Sequence, residues 1–156
     1  MNIMDVAKYF LSKVNEEEEV LITHLKLQKL TYYAQAWYLA LEGKPLFKGK
    51  FQAWAHGPVN PELFQEYRSF GYHPIPYPED FDPDNYPEEI KEFLDQIWEA
   101  YGRYDAKYLE RLTHKEKPWK EARGNIPDGE YCTNIISEKS MQEYYRGLIE
   151  EDDQEQ

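Results

Sequence analysis

The sequence is poor in the residues that build disulfide frameworks and metal centres. Cys132 is the single cysteine among 156 residues, which excludes an intrachain disulfide and a cysteine-based metal cluster within one chain. The four histidines, His24, His56, His73 and His114, include no pair at i, i+3 or i+4 spacing. Convergence of three of them in space is the remaining route to a metal site. We expect no metal and no cofactor.

Long apolar runs are missing as well. No segment approaches the roughly 18 apolar residues of a membrane helix. The first residues, MNIMDVAKYFLSKV, lack the basic leader and apolar run of a signal peptide. These absences predict a cytoplasmic protein with no membrane partner.

Positive charge is scarce. Lys and Arg number 18 against 30 Asp and Glu, for a net charge of −12. Nucleic acid would be repelled by such a surface, and glutamates interrupt the densest basic run, HKEKPWKEAR (114–123). The composition predicts no direct nucleic-acid partner.

Familiar catalytic signatures are also absent. The sequence has no G-x-S-x-G, P-loop or G-x-G-x-x-G pattern, and no histidine or cationic cluster neighbours Cys132. We therefore expect a non-enzymatic protein. The alternative, an enzyme of unassigned type, requires a cleft in which His56 or His114 lies within hydrogen-bond reach of a carboxylate.

Helical periodicity and aromatic residues are abundant. Apolar residues at three-to-four spacing predict amphipathic helices that begin at residue 3 and after each of five capping positions. These positions are Thr23, Asn60, Pro87, Asp105 and Ser137. The helix between Thr23 and Gly43 is apolar around most of its circumference, which predicts the central element of the fold. Its predicted polar stripe comprises Gln28, Thr31, Gln35, Tyr38 and Glu42.

One hairpin interrupts the helical pattern. LFKGKFQAWA (46–55) predicts two short strands that bend at Gly49. The predicted fold class is mainly α: a compact bundle of about six helices around a central helix, with one short β-hairpin. Residues 1–149 form a single predicted domain. Residues 150–156, EEDDQEQ, form an acidic tail that we expect to be disordered.

The proline-rich segment 71–87 is the main candidate for partner contact, because long irregular loops are often functional. Packing on its own domain is the competing interpretation of its aromatic residues. His56 has the same two interpretations, a partner contact or a paired polar group at a corner. The predicted partner-binding residues are His56, Tyr72, Tyr77, Phe81 and Tyr86.

Three blocks resemble the Panacea-domain family, also named SocA-like or phage-associated GepA-like. They are KLQKLTYYAQAWYLALEGKPLF (26–47), FQAWAHGPVNPELFQEY (51–67) and LTHKEKPWKEAR (112–123). We expect a structural role for the residues that match the family's signature. They are Lys26, Gln28, Lys29, Tyr33, Gln35, Trp37, Trp54, His56, Gly57, Pro58, His114, Pro118 and Trp119.

The resemblance implies a small, mostly helical bacterial or prophage protein of a toxin–antitoxin system. Such a protein neutralises a cognate toxin, encoded nearby, by direct protein contact. In one branch of the family it acts as a proteolytic adaptor, which implies a cytosolic protease as a further partner. The family implies no catalytic residues. A phage or host interaction protein without a toxin partner is the alternative.

Overall fold

The computed structural model describes residues 1–155, most of which lie in helices. In chain order the elements are α1 (Ile3–Leu11), α2 (His24–Glu42), β1 (Gln52–Trp54), β2 (Gly57–Val59), α3 (Pro61–Tyr67), α4 (Glu88–Tyr101), α5 (Ala106–Lys115), α6 (Lys117–Arg123) and α7 (Glu138–Glu155). Short 3₁₀ turns occupy Arg68–Phe70 and Pro83–Asn85. The predicted fold class is confirmed: seven α-helices and one short antiparallel hairpin within the described residues.

Helix α2 is the central element, as predicted. Thr23 caps its start by accepting a hydrogen bond from the N–H of Lys26, and Gly43 ends it with φ of 72°. Helices α1, α4, α5 and α7 and strand β2 all pack against it. Leu41, predicted on an apolar face, is 53% exposed instead.

Most of the stripe of α2 predicted to be polar and solvated is buried. Gln28, Thr31 and Gln35 are each at most 1% exposed. Their side chains are hydrogen-bonded to main-chain groups, as is usual for buried polar atoms. Gln35, for example, accepts from the N–H of Leu46 at 2.8 Å and donates to the carbonyl of Phe47 at 2.8 Å. The pattern of apolar and polar residues identified the helix, but it did not show that most of the polar stripe is buried.

The hairpin lies further along the chain than predicted. Strand β1 pairs with β2, and Trp54 lies opposite Gly57, so the turn falls at 55–56 and not at Gly49. Pro58 has no N–H to donate, yet it lies within β2. This is tolerated because β2 is an edge strand. The other edge of β1 forms a bridge with Ile135.

Helix α6 was not among the predicted helices. The backbone breaks at Glu116, with ψ of 145°, and Pro118 occupies the first turn of a new helix. At the other end, α7 continues to Glu155. The expectation of disorder from residue 150 is therefore corrected for 150–155, and Gln156 lies outside the described residues. The single-domain division stays a prediction.

No helix among residues 1–155 combines the length and the apolar composition needed to cross a membrane.

Candidate functional site

Lys29 and Gly57, from two of the signature blocks, are in direct contact. Gly57 has φ of +105°, and a Cβ built there would lie 2.5 Å from Cε of Lys29. A glycine is therefore required for both its backbone conformation and its lack of a side chain. The Lys29 side chain is 1% exposed, and its ammonium group donates to the carbonyl of Pro58 at 3.4 Å. The H-G-P turn thus accommodates a buried lysine.

The third signature block holds the hairpin in place. Trp119 on α6 donates from Nε1 to the carbonyl of Trp54 at 2.9 Å. The His114 ring stacks on Trp119, with centroids 4.0 Å apart, and burial lowers the pKa of His114. Arg123 donates to the carbonyl of Ala53 at 2.8 Å. These contacts tie the third block to the hairpin, and the structural roles expected for Trp54, His114 and Trp119 stay predictions.

A buried carboxylate lies among tyrosines between α2, α6 and α7. Glu116 accepts from the hydroxyl of Tyr33 at 2.7 Å and from that of Tyr145 at 2.9 Å. Burial raises the pKa of Glu116, and the two hydrogen bonds offset this only in part. Tyr33 also stacks on Tyr101 at 4.0 Å, and Tyr101 accepts from Nε1 of Trp37. This cluster joins α2, α4 and α7 at the residue that precedes α6.

A groove with a volume of about 1120 Å³ runs along the first half of α2. Its other walls are the segment before α2, the end of α4, residues 102–105 and the first turns of α5. His56 and Tyr72 line it as well. We name it the α2–α5 groove.

Cationic side chains gather in the α2–α5 groove of this acidic protein. They are Lys26, Lys29, Arg103 and Lys107. The Lys26 ammonium donates to the carbonyl of Gly102 and lies 5.3 Å from the centroid of the Trp98 ring. Burial lowers the pKa of both α2 lysines, to about 8 for Lys29.

Three carboxylates also line the α2–α5 groove. Asp105 caps α5 by accepting from the N–H of Tyr108 at 2.8 Å. Glu110 contacts Nδ1 of His56 at 3.1 Å and the ammonium of Lys107 at 3.6 Å. The third is Glu19. Burial opposes ionisation of Glu110, but the hydrogen bond with His56 and the charge of Lys107 lower its pKa overall.

The two histidines of the groove differ in burial. His24 is 8% exposed, and its Nδ1 has no hydrogen-bond partner among the described residues. Its ring packs 5.5 Å from that of Phe64, and burial lowers its pKa. The side chain of His56 is 68% exposed. Its contact with Glu110 meets the geometric condition of the enzyme hypothesis, and it is equally the geometry of an ordinary surface ion pair.

The structure separates the five predicted partner-binding residues into two groups. His56 and Tyr72 line the α2–α5 groove, and Tyr72 is 89% exposed. Tyr77, Phe81 and Tyr86 form an aromatic cluster elsewhere. Tyr86 is 8% exposed and donates to the carbonyl of Asp5, so its predicted surface role is corrected to packing. Tyr77 remains 53% exposed.

The sequence interpretation missed the α2–α5 groove itself. Lys26 and Lys29 were assigned structural roles, and His24 entered only as a metal candidate. A signal was present, because two lysines lie in the first turns of a helix that is otherwise buried on most sides. Buried lysines are uncommon unless paired. The distant residues Arg103 and Lys107 gave no such signal.

Comparison with known proteins agrees with this architecture. The family described as "Antitoxin SocA-like, Panacea domain" matches residues 27–120, which is more than half of the chain. The chain belongs to this Panacea-domain family, which confirms the resemblance. The matched region contains Lys29, Gly57 and Trp119, the residues that fix the hairpin and its buried lysine.

A curated relative matches a shorter region. Antitoxin SocA of Caulobacter vibrioides (strain NA1000 / CB15N) is 40% identical over 53 residues, which are 34% of this chain. The match covers 28% of that relative's length. No solved structure matches significantly.

Proposed function

We propose that this chain neutralises a partner toxin by binding it directly. Membership of the antitoxin SocA-like family carries the proposal. The family favours a non-enzymatic regulator and implies a toxin partner in general. The toxin would be a protein encoded beside this one, in a bacterial or prophage toxin–antitoxin system, and both proteins would act in the cytoplasm.

The surface supports a protein-binding role on physical grounds. A net charge of −12 attracts a basic toxin and speeds the encounter. Exposed tyrosines such as Tyr72 and Tyr77 are the residue type that often dominates binding energy at protein interfaces.

Co-expression tests the proposal. The neighbouring gene product should stop growth when expressed alone, and this chain should restore growth and co-purify with it. The exposed Lys139→Met variant serves as a neutral control, since this side chain is 82% exposed. A growth-arresting neighbour that this chain neither binds nor rescues would contradict the proposal. Capture of a different host or phage protein would favour the interaction-protein alternative.

Delivery of the toxin to a cytosolic protease is a finer part of the proposal. An adaptor shortens the lifetime of its cargo, whereas a simple inhibitor leaves the toxin level unchanged. The toxin's half-life should therefore fall when this chain is co-expressed and recover in a protease-deficient host. An unchanged half-life in both hosts would leave binding alone as the mechanism.

The enzyme hypothesis competes because His56 and Glu110 are in contact. The molar ratio of this chain to inactivated toxin distinguishes the enzyme hypothesis from the binding proposal. A binding antitoxin titrates its toxin in a fixed molar ratio, whereas an enzyme inactivates many toxin molecules per molecule. We expect a sharp equivalence point at a fixed molar ratio in a toxin-activity titration. Complete inactivation at one-tenth of the equivalent amount, abolished by His56→Ala, would establish catalysis.

A further inference from the structure

We propose that the α2–α5 groove binds an acidic peptide segment of the partner protein, with a carboxylate reaching Lys26 and Lys29. This inference rests on the proposed function, because it assumes that the partner is a protein. The inference assigns a ligand class, an acidic peptide, to the groove. The acidic surface elsewhere on the chain would attract basic parts of the same partner.

The two lysines lack an acidic partner. Each ammonium group donates to a backbone carbonyl, that of Gly102 for Lys26 and that of Pro58 for Lys29. Among the side chains that the structure describes, no carboxylate forms an ion pair with either. A buried charge without a counter-charge is costly. An incoming carboxylate would lower that cost, and the reduction in electrostatic free energy would favour its binding.

His24 provides an independent observation. It lines the same groove, is more than nine-tenths buried, and leaves Nδ1 without a partner among residues 1–155. Buried polar atoms are nearly always hydrogen-bonded. Nδ1 itself is buried, so a carboxylate reaches it only once the ring turns towards the groove. In the tautomer protonated at Nδ1, the neutral ring then donates a hydrogen bond to the carboxylate oxygen.

The acidic residues of the groove form no ion pair with these lysines and offset the effect of burial on their pKa only in part, Asp105 at Lys26 and Glu110 at Lys29. Asp105 is engaged at the start of α5, and Glu110 is engaged with His56 and Lys107. Glu19 is the third carboxylate of the lining. Arg103 adds positive charge. The local excess of cations contrasts with a whole chain of net charge −12.

Aromatic walls and size favour a peptide over a free anion. The Trp98 and Tyr104 rings line the groove, and the Arg103 guanidinium lies 4.9 Å from the centroid of Tyr104. These surfaces suit apolar side chains, which a simple anion lacks. The volume of about 1120 Å³ also matches or exceeds that of typical sites for drug-sized ligands. An acidic segment with neighbouring apolar residues fits both features.

Fluorescence anisotropy of a labelled peptide tests the inference on the full chain. The probe is the octapeptide Glu-Glu-Leu-Glu-Glu-Phe-Glu-Glu, and its matched control replaces every Glu by Gln. We expect saturable binding of the acidic peptide and at least tenfold weaker binding of the Gln peptide. Lys29→Met and Lys26→Met should each weaken binding at least tenfold. Lys139→Met, which removes a distant exposed lysine, should change it less than twofold.

Several results would overturn the inference. They are absence of saturable binding, equal affinity for the Gln peptide, equal loss in Lys139→Met, and displacement by inorganic phosphate at the peptide's own concentration. The last would identify a general anion site. Circular dichroism of each variant shows whether the fold is retained, and His24→Phe, which keeps an aromatic ring, is a second variant with the same expected loss.

Toxin neutralisation by Lys29→Met separates the two proposals. Reduced neutralisation supports the groove as the partner's site. Full neutralisation by Lys29→Met overturns the groove inference and leaves the antitoxin proposal standing. Failure of the unmodified chain to neutralise its neighbour contradicts the proposed function, whatever the peptide measurement gives.

Discussion

Lys29 places a titratable amine in the interior, on the central helix. The side chain is 1% exposed and its ammonium has one long hydrogen bond to a carbonyl. Apolar residues of similar length would fill the same space without the desolvation cost. A residue that opposes stability in this way is typical of a functional position.

Replacing Lys29 by Met should leave the protein at least as stable at pH 7. Burial lowers the pKa of Lys29 from 10.5 to about 8, so below pH 8 the folded state carries an unfavourable charge. Between pH 8 and 10.5 the unfolded chain binds more protons than the folded one, and wild-type stability rises. The advantage of Met should therefore disappear over that range. Urea unfolding from pH 7 to 10.5 measures the difference in unfolding free energy between the wild type and Lys29→Met. A Lys29→Met variant that is less stable than the wild type by more than about 2 kcal/mol at pH 7 would contradict the prediction.

Glu116 should behave as a buried acid whose ionised form opposes folding. Because burial raises its pKa above 4.5, its contribution to stability falls as pH rises from 4.5 to the folded-state pKa. Glu116→Gln removes this dependence and keeps an acceptor for the tyrosines. It should match or exceed wild-type stability at pH 7, whereas Glu116→Ala should lose about 2–4 kcal/mol.

The control for Glu116 is Glu121→Gln, an exposed position on α6, the helix that follows Glu116. Its effect should stay within about 0.5 kcal/mol at every pH. A Glu116→Gln variant that is less stable than Glu116→Ala would show that an ionised carboxylate is required there.

Gly57→Ala should be strongly destabilising, by more than about 3 kcal/mol, because it combines a positive φ with a clash against Lys29 Cε. Gly129→Ala is the matched control. Its φ is +90° and a Cβ would meet open space, so it reports backbone strain alone. Lys29→Ala should rescue part of the Gly57→Ala loss in a double-mutant cycle. Additive effects would show that the two side chains do not interact.

Among the elements, those whose signals are local were predictable from the sequence. Helix α2 has a cap, a glycine at its end and a long apolar period within its own residues, and its ends agree with prediction. Helix α4 begins directly after Pro87, as predicted. The hairpin was displaced because its register depends on long-range contacts. The N–H of Ala53 donates to the carbonyl of Asn134, more than 80 residues away. No local pattern carries that information.

Helix α6 depends on one arginine for its connection to the hairpin and the following loop. Arg123 is 2% exposed and donates to the carbonyls of Ala53, Pro127 and Glu130 at 2.7–2.8 Å. Arg123→Ala should cost about 3 kcal/mol or more, because three carbonyls lose charged donors. Thermal unfolding measures the loss. The exposed Arg111→Ala should stay within about 0.5 kcal/mol, and equal effects of the two would contradict the prediction.

At the scale of the whole molecule, the α2–α5 groove combines residues from positions 19 to 110. Such a site can be predicted from a sequence only when each of its residues stands out from the pattern of the residues around it. The H-G-P turn and the lysines of α2 did so, whereas Arg103 and Lys107 lie in stretches that resemble any charged helix. The fold class could be inferred from periodicity, but the assembly of the groove could not.

Removal of residues 150–156 should leave the fold intact. Helix α7 reaches Glu155, yet Tyr145 is the last fully buried residue of this helix among those whose burial the structure describes, and 150–152 are exposed. We expect a change in unfolding free energy within about 0.5 kcal/mol. Tyr145→Ala, a core control, should lose roughly 3–5 kcal/mol. A truncated protein that unfolds as readily as Tyr145→Ala would show that the acidic end is docked.

Gln28, Gln35 and Arg123 share one property: each binds main-chain atoms of the segment it holds. Gln28, for instance, both donates to and accepts from the peptide groups of Asn60. Peptide groups are the same whatever residue carries them. Outward-facing positions such as Tyr131, which is 87% exposed, are therefore free to vary while the path of the chain is kept. Under the proposed function, such a scaffold can change its toxin specificity by substitution of surface side chains alone, because its main-chain path does not depend on them.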